Sequence, residues 1–144
     1  MIRKYDLKQK INISKVLKIF KTLPTSNVGF IYGGEVSQYF SSDYSKLSEL
    51  KDEILNSLPK NITKHNLDIQ IIQTIGSIYP HKDCIDKRFM LIPIKLSKNA
   101  SLFEKDHEVM LKVNYLYTFN DFNFHGLSVL TYKSKCIFIG ITNK

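Results

Sequence analysis

Arg88-Phe-Met-Leu-Ile-Pro-Ile-Lys-Leu96 and Lys135-Cys-Ile-Phe-Ile-Gly-Ile-Thr142 decide the fold of this chain. Both are short runs rich in β-branched and aromatic residues with polar breaks at their ends, which is the signature of strands. Working outward, Ala100 to Glu104, Glu108 to Val113, Asn114 to Phe119 and His125 to Tyr132 carry the same signal. Upstream, Ile69-Gln-Ile-Ile-Gln-Thr-Ile-Gly-Ser-Ile78 runs into Tyr79-Pro80-His81-Lys82-Asp83 and adds two further segments. That makes about eight short strands with no room for helices between them.

Strands this short and close together remove their exposed edges by closing on one another. The expected architecture is mainly β, a double-stranded β-helix or jelly roll of the cupin-like kind, with flanking N-terminal helices. Residues 1–66 are organised differently. Asn12 is placed to cap a helix from Ile13 to about Leu23, with Ile13, Val16, Leu17 and Phe20 as one apolar stripe. A second helix is expected from Ser45 or Lys46 to Leu58, burying Leu47, Leu50, Ile54 and Leu58 and closed by Pro59. Between them Asn27 to Tyr32 reads as a strand interrupted at Gly33-Gly34. These elements are expected to buttress the outside of a larger sheet, so residues 1–144 form one domain with a jelly-roll core over 67–144.

The chemistry is carried by His81-Lys82-Asp83 and by His125, with the basic residue Lys135 ten positions further on. The motif alone is weak, and its structural context is what gives it weight. In a strand, residues i and i+2 point to the same side, so His81 and Asp83 reach one metal together while Lys82 faces away. Two imidazoles and one carboxylate on one face of a metal leave the opposite positions open, the arrangement used by non-haem Fe(II) oxygenases. Thiolates would bias the site toward zinc, and only Cys84 lies nearby.

The segment from about Leu67 to Thr142, roughly half the chain, resembles the core of Fe(II)/2-oxoglutarate-dependent oxygenases, especially the aspartyl/asparaginyl β-hydroxylase-like and phage prolyl-hydroxylase-like branches. The resemblance rests on Pro80-His81-Lys82-Asp83, on Arg88 opening its strand, on Leu116-Tyr-Thr-Phe-Asn-Asp-Phe-Asn-Phe-His125, and on Lys135 leading the last strand. It implies that His81, Asp83 and His125 bind Fe(II) and that Lys135, its head in the barrel mouth, holds the distal carboxylate of 2-oxoglutarate. Lys133 shares the strand parity of Lys135 and is the competing clamp. Arg88 falls near the place of a further 2-oxoglutarate contact in the β-hydroxylase-like branch, although Arg88-Phe89-Met90 departs from the Arg-x-His of that branch. Dioxygen would be the oxidant, ascorbate an accompanying reductant, and succinate and carbon dioxide the co-products. Because halogenating members lack the carboxylate, Asp83 favours hydroxylation.

Tyr79, Tyr117 and Asn114 are further candidates for the pocket, Tyr79 as a cofactor contact, with core packing as the alternative for the aromatic residues. Asn120-Asp121 is expected to make the turn before the distal ligand. His65 and His107 read as loop histidines, and Cys84 as a small buried side chain. At 144 residues and 43% hydrophobic content, the chain is long enough for a real core. No apolar run approaches the roughly 20 residues needed to span a bilayer, and the N-terminus lacks the core of a secretion signal. With two cysteines and no disulfide framework, the expected compartment is the cytoplasm. The net charge is +8, and residues 1–21 hold seven Lys or Arg against one Asp. Nucleic acid is a less favoured partner than solvent for this face, because no recognised nucleic-acid module is present. The expected substrate is a peptide or protein residue; the alternatives are a free amino acid or small metabolite, or a cupin-type protein that binds a ligand without 2-oxoglutarate or turnover.

Overall fold

A computed structural model of the chain describes residues 1–64, 66–82, 88–120 and 123–143, except for the side chain at position 143. The strands are β1 (Arg3–Tyr5), β2 (Val28–Ile31), β3 (Gly34–Phe40), β4 (Leu67–Ile75), β5 (Ile78–His81), β6 (Arg88–Lys95), β7 (Ser101–Glu104), β8 (His107–Met110), β9 (Leu116–Asn120), β10 (His125–Ser128) and β11 (Lys135–Asn143). The helices are α1 (Ile13–Phe20), α2 (Ser45–Ser48) and α3 (Lys51–Ser57). Two antiparallel sheets form, a seven-stranded one in the order β1-β9-β6-β11-β4-β3-β2 and a four-stranded one in the order β5-β10-β7-β8. This is the jelly roll that the strand spacing predicts.

Apolar residues on both parities of the central strands make the seven-stranded sheet two-faced. Ile69, Ile71, Ile92, Ile139 and Ile141 pack outward with Val16, Leu47, Leu50, Ile54 and Leu58 of the helical layer. Ile72, Leu91 and Phe138 pack inward with Ile78, Leu102 and Leu127 of the four-stranded sheet. Each such side chain taken out of water stabilises by about 1.5–3 kcal/mol before the entropy of ordering is counted. The two layers share one sheet.

The helices follow the sequence with two local changes. Asn12 caps α1, its side-chain oxygen accepting from the Lys15 amide at 3.1 Å. The helix then tightens at Phe20, where Thr22 and Leu23 amides bond back three residues to Ile19 and Phe20. The second expected helix comes as α2 and α3, joined through Glu49 and Leu50, whose backbone stays in the helical region.

Residues 1–66 do more than buttress. β1, β2 and β3 join the large sheet by pairing with β9, β3 and β4. β3 escapes the strand pattern because Glu35, Ser37 and Gln38 interrupt its apolar residues. The β2–β3 hairpin turns through Tyr32 (φ 45°) and Gly33 (φ 89°), both left-handed, which matches the twist of the strands it joins. Strand ends also move. β9 starts at Leu116 because Asn114 sits at φ 67°, and β10 stops at Ser128 before the turn at Thr131 to Ser134.

Asn114, a sequence candidate for the pocket, is instead a staple. Its side chain accepts from the Ile11 amide at 2.9 Å and donates to the Ile11 carbonyl at 3.0 Å, tying the N-terminal segment to the turn before β9. Asn114→Ala loses both bonds and puts a Cβ residue with no local hydrogen bond at a left-handed position. The expected cost is about 2 kcal/mol in urea unfolding. Asn114→Gly restores the backbone freedom and should recover part of that loss.

Candidate functional site

Antiparallel pairing of β5 with β10 sets His81 opposite His125. Between His81–His125 and Ile78–Leu127 the register shifts, so that three steps along β5 match two along β10. This bulge falls at Tyr79-Pro80, where proline has no amide to lose from the ladder. Its consequence is that Ile78 and His81, of opposite parity in a regular strand, both line the cavity between the sheets, while Tyr79 is 61% exposed.

Both imidazoles are held alike. His81 Nδ1 lies 2.7 Å from the Tyr79 carbonyl and His125 Nδ1 lies 2.8 Å from the Asn123 carbonyl, two residues back in each case. A carbonyl oxygen only accepts, so Nδ1 donates, and the neutral ring then carries its lone pair on Nε2. An outer hydrogen bond that fixes the tautomer and orients the ring is the usual companion of a metal-binding histidine. The ring centroids are 4.4 Å apart at 58°, near enough for two ligands of one ion. Tyr32, at the tip of the β2–β3 hairpin, stacks on His81 at 4.1 Å and 10°, and its carbonyl accepts from the Tyr79 amide at 2.8 Å. Phe119 packs on His125 at 4.9 Å. Gly126 leaves no room for a side chain, since a Cβ there would sit 2.4 Å from the Ile78 carbonyl oxygen and from the Phe103 ring.

Glu104, opposite His125 in the β7–β10 pairing, is 1% exposed and anchors the approach to that histidine. It accepts from the Asn120 amide at 2.7 Å and the Asn123 side chain at 3.3 Å, and it pairs with the Met1 ammonium. Burial opposes its ionisation, yet the ammonium and the two asparagine donors outweigh burial and hold its carboxyl below the ordinary range. No sequence motif marks Glu104, because its partners lie on other strands.

The cavity measures about 220 Å³ and is walled mainly by apolar side chains, among them Ile72, Phe89, Leu91 and Phe138. His81, His125, Gln38 and Thr74 supply its polar groups. It adjoins a groove of about 440 Å³ along β2 and β3, and the two share Ile31, Val36 and Gln38.

Of the sequence candidates, His81 and His125 come together, and Asp83 lies outside the described residues. Among the described residues no group of three metal-ligating side chains gathers. The donor set present, two tautomerically fixed imidazoles on one cavity wall, fits a first-row metal. Lys82 turns away as expected, its ammonium 4.6 Å over the Phe124 ring. The placement of Lys135 in the barrel mouth needs correction. It shares parity with Ile137 and Ile139, which face the helical core, whereas Cys136 and Phe138 face the inner one, and Lys135 itself is exposed. Lys133 is exposed in the turn before β11, near the Tyr132 ring. Arg88 shares parity with Met90 and Ile92, on the face away from the cavity, and donates to Thr118 Oγ1 at 3.2 Å. Tyr79 points outward. Tyr117 is fully buried in the inner core beyond the cavity lining, its hydroxyl accepting from the Lys112 amide at 2.9 Å. Burial pushes that phenol above its ordinary range.

Fold and site together define a double-stranded β-helix protein with a histidine-lined cavity between its sheets. No family of known proteins matches the sequence, and no curated protein is significantly similar to it. Solved structures are similar in fold. A prolyl hydroxylase from Trichoplax adhaerens, in complex with a hypoxia inducible factor oxygen degradation domain peptide fragment, superposes with a TM-score of 0.57 at 11% identity, covering 99% of this chain and 83% of that one. A cupin-2 domain containing protein from Shewanella frigidimarina gives 0.44 at 13% identity over 58% of this chain and 76% of that one. A cupin-like protein from Thermotoga maritima gives 0.46 at 11% identity over 83% and 74%. The likeness to the Trichoplax adhaerens enzyme, over nearly the whole chain, shows a shared fold.

Because the Glu104 carboxyl is depressed, it stabilises the fold above the ordinary carboxylate pKa, and that contribution is lost as pH falls through its lowered folded value. Glu104→Gln should cost about 1–3 kcal/mol at neutral pH and flatten the acid side of the stability profile, as read by thermal melts from neutral to low pH.

Proposed function

We propose that this protein is an Fe(II)-dependent oxygenase of the 2-oxo-acid-using kind, 2-oxoglutarate being the acid its sequence resemblance implies, and that it hydroxylates a residue of a peptide or protein in the cytoplasm. The observation that carries this reading is the His81–His125 pair, each ring fixed through Nδ1 and both lining one apolar cavity. Asp83, two residues beyond His81, is the proposed third ligand. When bound, iron and its oxo acid supply the oxidising chemistry, with dioxygen as oxidant and ascorbate as a maintaining reductant.

The chain's own residues do the rest. The Tyr79 and Asn123 carbonyls hold the imidazoles in the binding tautomer, and Tyr32 braces His81 from the hairpin tip. Phe89, Leu91 and Phe138 give the cavity apolar walls, beside which a polar contact is stronger than in water. The adjoining groove along β2 and β3 gives a chain-like substrate room to lie across the cavity. That the Trichoplax adhaerens enzyme was captured with a peptide supports a peptide over a free metabolite.

Fe(II) and 2-oxoglutarate added together without oxygen should raise a visible metal-to-ligand charge-transfer band, and His125→Ala should abolish it while leaving the protein folded. A wild-type protein that takes up no Fe(II) would overturn the reading in favour of a barrel that binds its ligand without a metal.

A further inference from the structure

Thr74 lines the same cavity as the histidines but on the opposite wall, in β4 of the seven-stranded sheet, and it is 5% exposed. Among the described residues, its hydroxyl is the buried side-chain group left with neither a hydrogen bond nor an ion pair. Its neighbours across the sheet are Val36 and Cys136, so its ladder partners offer it nothing better than a thiol. A buried hydroxyl without a partner is costly to the free protein, and such a group facing a cavity marks the place where a ligand atom completes the bond.

The described part of the wall bears on the charge of that ligand. The described lining holds no Lys or Arg, and Lys135, Lys133 and Arg88 all lie elsewhere. A second carboxylate placed in this apolar space would be desolvated without a counter-ion, the least favourable way to bury a charge. An uncharged acceptor at the same place is satisfied by one hydroxyl. The described residues therefore fit the keto-acid head of a co-substrate beside the histidines, and do not fit a dicarboxylate's far end.

We propose that Thr74 donates a hydrogen bond to the far end of the bound 2-oxo acid, and that the favoured acid carries an uncharged acceptor there in place of a second carboxylate. This rests on the reading of His81, Asp83 and His125 as an iron site. It makes Thr74 a specificity-determining residue for the acid.

The experiment is an anaerobic titration of the Fe(II)-loaded protein, followed by the charge-transfer band, with 2-oxoglutarate, its 5-methyl ester and 2-oxopentanoate. The ester is expected to bind at least about tenfold more tightly than the diacid. Thr74→Val, an isosteric change, should weaken the ester by about five- to tenfold, as loss of one net hydrogen bond does, and leave 2-oxopentanoate unchanged. Its melting temperature should not fall, because the variant loses an unpaired hydroxyl and gains a methyl. Lys135→Ala should titrate like the wild type with all three acids. A diacid that binds more tightly than its ester, a weakened diacid in Lys135→Ala, or an ester affinity untouched by Thr74→Val would each overturn the Thr74 anchor while leaving the iron site standing. Fe(II) uptake with no band from any acid would overturn the oxo-acid reading itself.

Discussion

Burial of both faces of the seven-stranded sheet is the constraint on which everything else here depends. Strand side chains alternate, so each buried apolar residue of β4, β6 and β11 faces either the helical layer or the space between the sheets. The cavity can recruit only the inward set. That rule admits Thr74, Phe89 and Phe138 and turns Lys135 and Arg88 away, whatever their distance along the chain. The histidine pair belongs to the other sheet, where a single bulge at Tyr79-Pro80 brings His81 to the inward side after Ile78 has already used it.

Support for the site is distributed over elements far apart in sequence. Tyr32 belongs to a hairpin at the rim of the large sheet yet stacks on His81 of the small one. Glu104 reaches from β7 to the residues that precede His125. Neither belongs to the histidine pair. Both fix the backbone around it, and fixed backbone carbonyls are what hold each imidazole in its tautomer.

The core strands were legible because β-branched runs with short polar breaks admit little else, and α1 because Ile13, Val16, Leu17 and Phe20 recur at helical spacing. The two histidines were legible as a pattern of residue types. The direction of Lys135 was not, and the reason is physical. A strand buried on both faces is apolar at every position, so Cys136-Ile-Phe-Ile shows no alternation from which an inward side can be read. Thr74 was hidden by the opposite effect, since one threonine among isoleucines looks like the solvent side of an ordinary strand. The bulge left only Pro80 as a trace, and β3 was masked by Ser37, which is buried although polar.

The position of β11 has a further consequence for how the molecule is assembled. It lies between β4 and β6 in the sheet, yet it follows both in sequence. Until it inserts, Leu67–Ile75 and Arg88–Lys95 have no common neighbour, and the β4 and β6 sides of the seven-stranded sheet remain separate. Its partners in β4 are paired end to end, Lys135 with Ile75 and Asn143 with Leu67, so even the nearest pair closes a long loop. Pairings this remote in sequence place folding in the slow regime of milliseconds to seconds typical of all-β topologies, with the apolar faces of β4 and β6 open to other chains in the interval.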